Sequence, residues 1–203
     1  MAYSFSSATT HVIEPNTKFF LDANIWLKIL QPKNNPSHKE REYRLFFDKI
    51  ISNNKVKIVV PSLIISEVIN RILREVYYGK HIAKQKKADS SFVPTNDYYK
   101  NTYRKTEDFS IAYNLICDDI KNYHSSIELI NDEFGTNIKF KHVMSNPPQG
   151  LDFNDYYYFR LCKLNKYYLV TDDKDFWIED ISIITLNDTL KNKNIAYLLD
   201  LKK

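Results

Sequence analysis

A chain of 203 residues, 43% hydrophobic and 27% charged, has the composition of a globular domain with a substantial core rather than of a disordered or fibrous segment. Two cysteines exclude a disulfide framework, three glycines leave no Gly-rich phosphate loop, and no stretch is long and apolar enough to span a membrane. The net charge of +4 is a mild bias towards a polyanionic partner, and the whole set of features fits a reducing cytoplasm.

In chain order, residues 1–16 read as a loose leader. Lys18–Leu21 is a short apolar run of strand type that ends in Asp22. Ser37 and Glu40 make a capping box ahead of a helix with Tyr43, Phe46, Phe47 and Ile50 on one face, and Asn53-Asn54 stops it. Residues 56–60 are a second strand. Pro61-Ser62 then opens a helix in which Ile65, Ile69, Ile72 and Val76 recur at helical spacing, and Gly79 ends or kinks it. Residues 80–105 lose apolar periodicity. Residues 106–123 and 125–134 read as two further helices, the second stopped by Gly135. Residues 138–143 are a short strand or extended linker, and 145–150 are a turn-rich loop. A helix over 152–164 and strands over 167–170 and 181–186 complete the chain.

This alternation predicts one α/β domain over 1–203. Its central sheet is mostly parallel and flanked by helices, with a helical insertion around residues 80–135. A parallel sheet keeps its ligand site at the carboxyl ends of the strands. Asp22 follows one apolar run, and Asp172 and Asp173 follow another. Glu67 lies inside the helix after the second strand, and Asp152 and Asp155 open the helix before the 167–170 strand. Each acid alone has a local explanation in a turn or a helix N-terminus. Several carboxylates at one sheet edge repel one another unless a cation intervenes. Hard oxygen donors without a His or Cys cluster select magnesium or manganese.

Four segments carry a resemblance: Phe20-Leu21-Asp22-Ala23-Asn24, Pro61-Ser62-Leu63-Ile64-Ile65-Ser66-Glu67-Val68, Asp152-Phe153-Asn154-Asp155-Tyr156 and Leu169-Val170-Thr171-Asp172-Asp173-Lys174-Asp175-Phe176. In order, and in the 18 residues from Asp155 to Asp173, they resemble the four acidic motifs of PIN-domain nucleases, including the toxin-like PIN ribonucleases. The resemblance covers roughly residues 17–190, with the middle unmatched. It implies a PIN-like fold and four metal-site and catalytic acids: Asp22, Glu67, Asp155 and Asp173. Asn24, Ser66, Thr171 and Asp175 would support them. It also implies hydrolysis of RNA phosphodiester bonds with Mg2+ or Mn2+ as cofactor, with Asp155 or Glu67 positioning the water. An antitoxin protein and a second copy of the chain, as a homodimer, are the partners it suggests besides RNA. The chain departs from the family in its bulky run Tyr156-Tyr157-Tyr158-Phe159-Arg160, where many members have small residues, and in its extra length between Gly79 and Ser145.

Competing acids are weighed locally. Asp152 reads as an N-cap, which leaves Asp155 as the third acid. Asp172 reads as a solvated turn residue beside the ligand Asp173, and Asp175 is divided between a supporting role and a surface turn. Residues 71–105 hold nine Lys/Arg against three acids, with five tyrosines interleaved. Arg71, Arg74, Lys84, Lys86, Lys87 and Arg104 are the candidate RNA contacts, against the alternative of a solvated helical hairpin whose tyrosines pack on the body. The five histidines read as surface residues, Cys117 and Cys162 as core, and Trp26 and Trp177 as packing near the cleft rim. A non-catalytic PIN-like RNA-binding or scaffold protein is the alternative function. Phosphoryl transfer through an aspartyl phosphate is discounted, because Asn24 stands where the second aspartate of that motif would be.

Overall fold

The computed structural model describes residues 5–31, 33–131, 151–176 and 181–200. The expected strand or linker over 138–143, the loop over 145–150, the stop at Gly135, and the readings of His142 and Trp177 lie outside the described residues.

Apolar runs with few polar breaks favour strands buried on both faces of a parallel sheet. Six strands form: β1 Phe5–Ser6, β2 Lys18–Leu21, β3 Lys57–Pro61, β4 Ile127–Ile130, β5 Tyr168–Val170 and β6 Ser182–Ile184. The inner four are of this kind, and the edge strands β1 and β4 are not. They lie in the order β1-β6-β5-β2-β3-β4, and every pair is parallel. The helices are α1 Ala23–Leu30, α2 His38–Ile51, α3 Ser62–Ile72, α4 Tyr78–Ala88, α5 Tyr98–Asn101, α6 Glu107–Lys121, α7 Phe153–Asn165 and α8 Asp188–Asp200. The fold is α/β, with a wholly parallel sheet among the described strands and helices on both faces. Phe19 and Phe20 show why both faces are covered. Successive side chains of a strand point to opposite sides. Phe19 meets Phe46 of α2 at 5.8 Å, and Phe20 meets Tyr158 of α7 at 4.9 Å between ring centroids.

From β2 the chain runs outward to β3 and β4. It then returns to β5 on the other side of β2 and continues outward to β6. The direction of winding therefore reverses between β2 and β5. In open parallel sheets the crevice outside the carboxyl ends at such a reversal is the usual ligand site.

Several expectations are corrected. In the described part, 125–131, of the helix expected over 125–134 there is no helix; instead 127–130 make edge strand β4, paired to β3 from Ile58 with Ile127 to Pro61 with Ile130. Isoleucines three apart suit a helix face and a strand about equally in so short a run. Pairing with β3 decides it, helped by an ion pair of Lys18 with Glu128 at 2.6 Å. The loose leader contains β1, which pairs with β6, and the buried Ala8. Gly79 does not end the helix it lies in. The chain runs from α3 through one π-helical turn, Leu73–Tyr77, into α4, and Gly79 faces open space. His81 is buried rather than exposed, and His11 is half-buried among Phe19, Phe46 and Tyr168. Among the described residues no helix is long and apolar enough to cross a membrane.

Candidate active site

Asp22 stands at the N-cap position of α1, but its side chain makes no capping bond to that helix. It is 5% exposed and turns towards β5. The Thr171 hydroxyl donates to Asp22 Oδ2 at 2.8 Å, and the Asn24 amide donates to the same oxygen. Thr171 Oγ1 also accepts the Asp173 backbone N–H at 3.0 Å and the Asn24 amide at 3.4 Å. Asn24 Oδ1 accepts the Asp172 N–H at 3.2 Å. Two loops, one after β2 and one after β5, are thus joined through two polar side chains at the winding reversal. Thr171 is fully buried with its hydroxyl satisfied in both directions.

Asp172 is not the solvated turn residue expected. Its carboxylate takes Lys28 Nζ at 3.2 Å and the Tyr43 hydroxyl at 3.2 Å. Its carbonyl accepts from the Asn187 amide at 2.6 Å. The Tyr43 hydroxyl also accepts the Leu186 N–H at 2.7 Å and lies 3.1 Å from the Thr171 carbonyl. This frame fixes the loop after β5. Asp173 Oδ1 accepts the Asp175 N–H at 2.9 Å, while the Asp175 side chain is exposed and forms a surface turn.

Asp152 caps α7 by accepting the Asp155 N–H at 3.0 Å, as its position predicts. Glu67, half-buried on α3, accepts the Tyr158 hydroxyl at 2.8 Å and the Asn154 amide at 3.4 Å, both on Oε2. No sequence signal identifies these two donors. The only trace of Tyr158 is the aromatic run that departs from the motif. Ser66 is not drawn into the group: it is exposed, and its carbonyl and hydroxyl accept from the Asn70 amide.

Electrostatics ties the four acids together. Burial, opposed by the bonds from Thr171 and Ala23 and reinforced by the charges of Glu67 and Asp173, raises Asp22 from 3.8 to about 6. Asp155 rises to about 7, first through burial and then through Asp152, Asp22, Asp173 and Glu67. The four charges named as raising Asp155 are all negative. Such a set of oxygen donors fits a hard divalent cation in donor chemistry. The acids sense one another without being gathered into a finished ligand shell. Among the described residues no three Asp, Glu, His or Cys side chains form a group that could hold a metal ion.

The candidate RNA contacts divide. Arg71 pairs with Glu75 at 3.1 Å and Lys84 with Asp108 at 2.9 Å. Lys86 and Lys87 are exposed in the last turn of α4. Arg74 and Arg104 both lie over the Tyr99 ring, at 5.1 and 5.6 Å. Tyr103 is fully buried and packs on Tyr78, His81, Tyr99 and Phe109, so it cannot stack on a base.

No family model matches the chain, and no curated protein matches it. Among solved structures, a chain in the crystal structure of VapBC2 from Rickettsia felis bound to a DNA fragment from their promoter is similar. It is 12% identical with a TM-score of 0.46, over 83% of this chain and 98% of that one.

Proposed function

We propose that the chain is a PIN-like ribonuclease that hydrolyses RNA phosphodiester bonds with Mg2+ or Mn2+. One observation carries the reading: four carboxylates from four separate elements couple at the winding reversal of a parallel sheet, and two of them are held well above the usual carboxylate range. Asp22, Glu67, Asp155 and Asp173 would hold the cation, which supplies charge neutralisation at the phosphoryl group and acidifies water. The chain's own polar groups have separable tasks. Thr171 and Asn24 hold one oxygen of Asp22, Oδ2, and so orient its carboxylate. Tyr158 and Asn154 occupy one oxygen of Glu67 and leave the other. The role of toxin in a toxin–antitoxin pair, with an antitoxin partner and a homodimeric state, belongs to the same proposal and rests on the motif resemblance.

The test is an assay of purified protein against single-stranded RNA, structured RNA and DNA, with and without manganese. The expected result is cleavage of RNA that requires the ion and is abolished by EDTA and by Asp22→Asn. Intact RNA with either ion, identical for the wild type and Asp22→Asn, overturns the proposal. A second reading, a PIN-like RNA-binding or scaffold protein without turnover, is favoured by the lack of a preformed group of three acids among the described residues. Its signature is RNA binding insensitive both to EDTA and to removal of the Asp173 carboxylate.

A further inference from the structure

The basic, tyrosine-rich stretch over 71–105, the arm, holds one arrangement that the catalytic reading does not use. Arg74 sits in the π-helical turn and Arg104 in the short helical turn after α5, thirty residues apart in sequence. Both guanidinium groups lie over the ring of one tyrosine, Tyr99. The two cations can be no further apart than their distances to that ring laid end to end. Both arginines are exposed, and among the described residues neither has a carboxylate partner, whereas Arg71 and Lys84 do. Two like charges held by one ring repel unless an anion lies near, and each gains only a modest cation–π contact with Tyr99. The Tyr99 hydroxyl is buried and has no hydrogen-bond partner. Tyr99 also packs edge-on against Tyr78 at 5.1 Å, so the platform is fixed by the core of the arm rather than by solvent-facing groups. Beside it runs an open groove lined by Arg74, Tyr78, Asn96, Asp97, Tyr99 and Lys100. The one acid in that wall, Asp97, accepts the Asn101 amide at 3.0 Å.

The geometry points to a phosphate-binding site in the arm. Arg74 and Arg104, pre-oriented on Tyr99, would clamp one or two successive phosphates of a single-stranded RNA. Planar guanidinium forks suit phosphate oxygens, and stacking on a fixed ring removes much of the rotamer freedom that binding would otherwise have to freeze. This site rests on RNA being the substrate of the proposed function, but it is distinct from the acids and reads the backbone rather than base identity. Of the six candidate RNA contacts, it selects two as the pair that matters most. Lys86 and Lys87 remain as a diffuse charge.

The experiment measures binding without cleavage. A fluorescently labelled single-stranded RNA oligonucleotide is titrated in EDTA against Asp22→Asn protein, at a series of salt concentrations. The double variant Arg74→Gln/Arg104→Gln is expected to weaken binding at least about tenfold. The log–log salt slope should fall by about 0.7 for each phosphate that the arginines no longer neutralise. A DNA oligonucleotide of the same sequence should lose affinity by the same factor in the double variant, because its phosphates are the same. The pair Arg74→Lys/Arg104→Lys, which keeps the charge and removes the fork, should fall between, and Lys86→Gln/Lys87→Gln should cost less than the arginine pair. Equal weakening from the two double glutamine variants, or a change under twofold from the arginine pair with an unchanged thermal melt, overturns the site. Because the readout is affinity in EDTA, absence of nuclease activity leaves this result interpretable. Conversely, an active nuclease with unaltered RNA affinity in the arginine variant defeats the site alone.

Discussion

At the scale of single residues, the site is a balance between burial of acids and the few donors that face them. Asp22 and Asp155 have folded-state values of about 6 and about 7, against about 3.9 in an unfolded chain. The folded protein therefore holds more protons than the unfolded one between about pH 4 and pH 7. Its stability falls as pH rises through that window. Thermal melts in metal-free buffer should show this decline, and Asp22→Asn should reduce it and melt at or above the wild-type temperature at about pH 8. A large drop in stability in Asp22→Asn would instead assign that side chain a structural hydrogen-bonding role. Tyr158 acts on Glu67 without reaching the crevice itself, being 1% exposed. Tyr158→Phe keeps its packing on Phe20 and removes the donor. Calorimetric titration with Mn2+ is expected to show affinity about tenfold weaker, with the fold little altered. Unchanged affinity would mean that the hydroxyl only satisfies Glu67 and does not orient it.

At the scale of elements, the strands and helices that carry the acids were legible because each pairs a local signal with a tertiary one. The capping box before α2 forms as Ser37 and Glu40 foretell, and Asp152 caps α7. Strand β4 was not legible because its isoleucines fit two periodicities, and only its neighbour β3 distinguishes them. The frame of Lys28, Tyr43, Asp172 and Asn187 was hidden for a different reason. Its members lie far apart along the chain, on α1, α2 and the loops after β5 and β6, with no spacing rule to join them. The same holds for Tyr158 and Glu67. The arm was read as basic and aromatic, which it is, but its tyrosines mostly pack inwards. Tyr103 has a buried hydroxyl without a partner, and its phenol is pushed up to about 12 by burial and nearby Tyr99, Asp108 and Tyr77. An unpaired buried hydroxyl costs on the order of 1–3 kcal/mol. Tyr103→Phe should therefore leave the denaturation midpoint unchanged or raise it, as measured by urea unfolding. A clear decrease would show that the hydroxyl bonds to an ordered water.

At the scale of the whole molecule, topology explains why distant acids meet. Strand order β1-β6-β5-β2-β3-β4 places the ends of β2 and β5 side by side, although 147 residues separate Asn24 from Thr171. The helices that follow or precede these strands bring Glu67 and Asp155 to the same edge. A parallel sheet with its winding reversed there makes one crevice, and the sequence motifs mark its rim. What the motifs do not convey is how tightly the crevice is drawn in: the carboxylates are coupled, but they stop short of a complete ligand set among the described residues. A cation would draw them together by offsetting the repulsion that adds to burial in raising Asp22 and Asp155. The most direct measurement is anomalous diffraction from crystals grown with manganese. The expected map has a peak at the carboxyl ends of β2 and β5, in contact with Asp22 and at least one of Glu67, Asp155 and Asp173. A map with no peak there at millimolar manganese, or with manganese bound only elsewhere, would contradict a shared cation site.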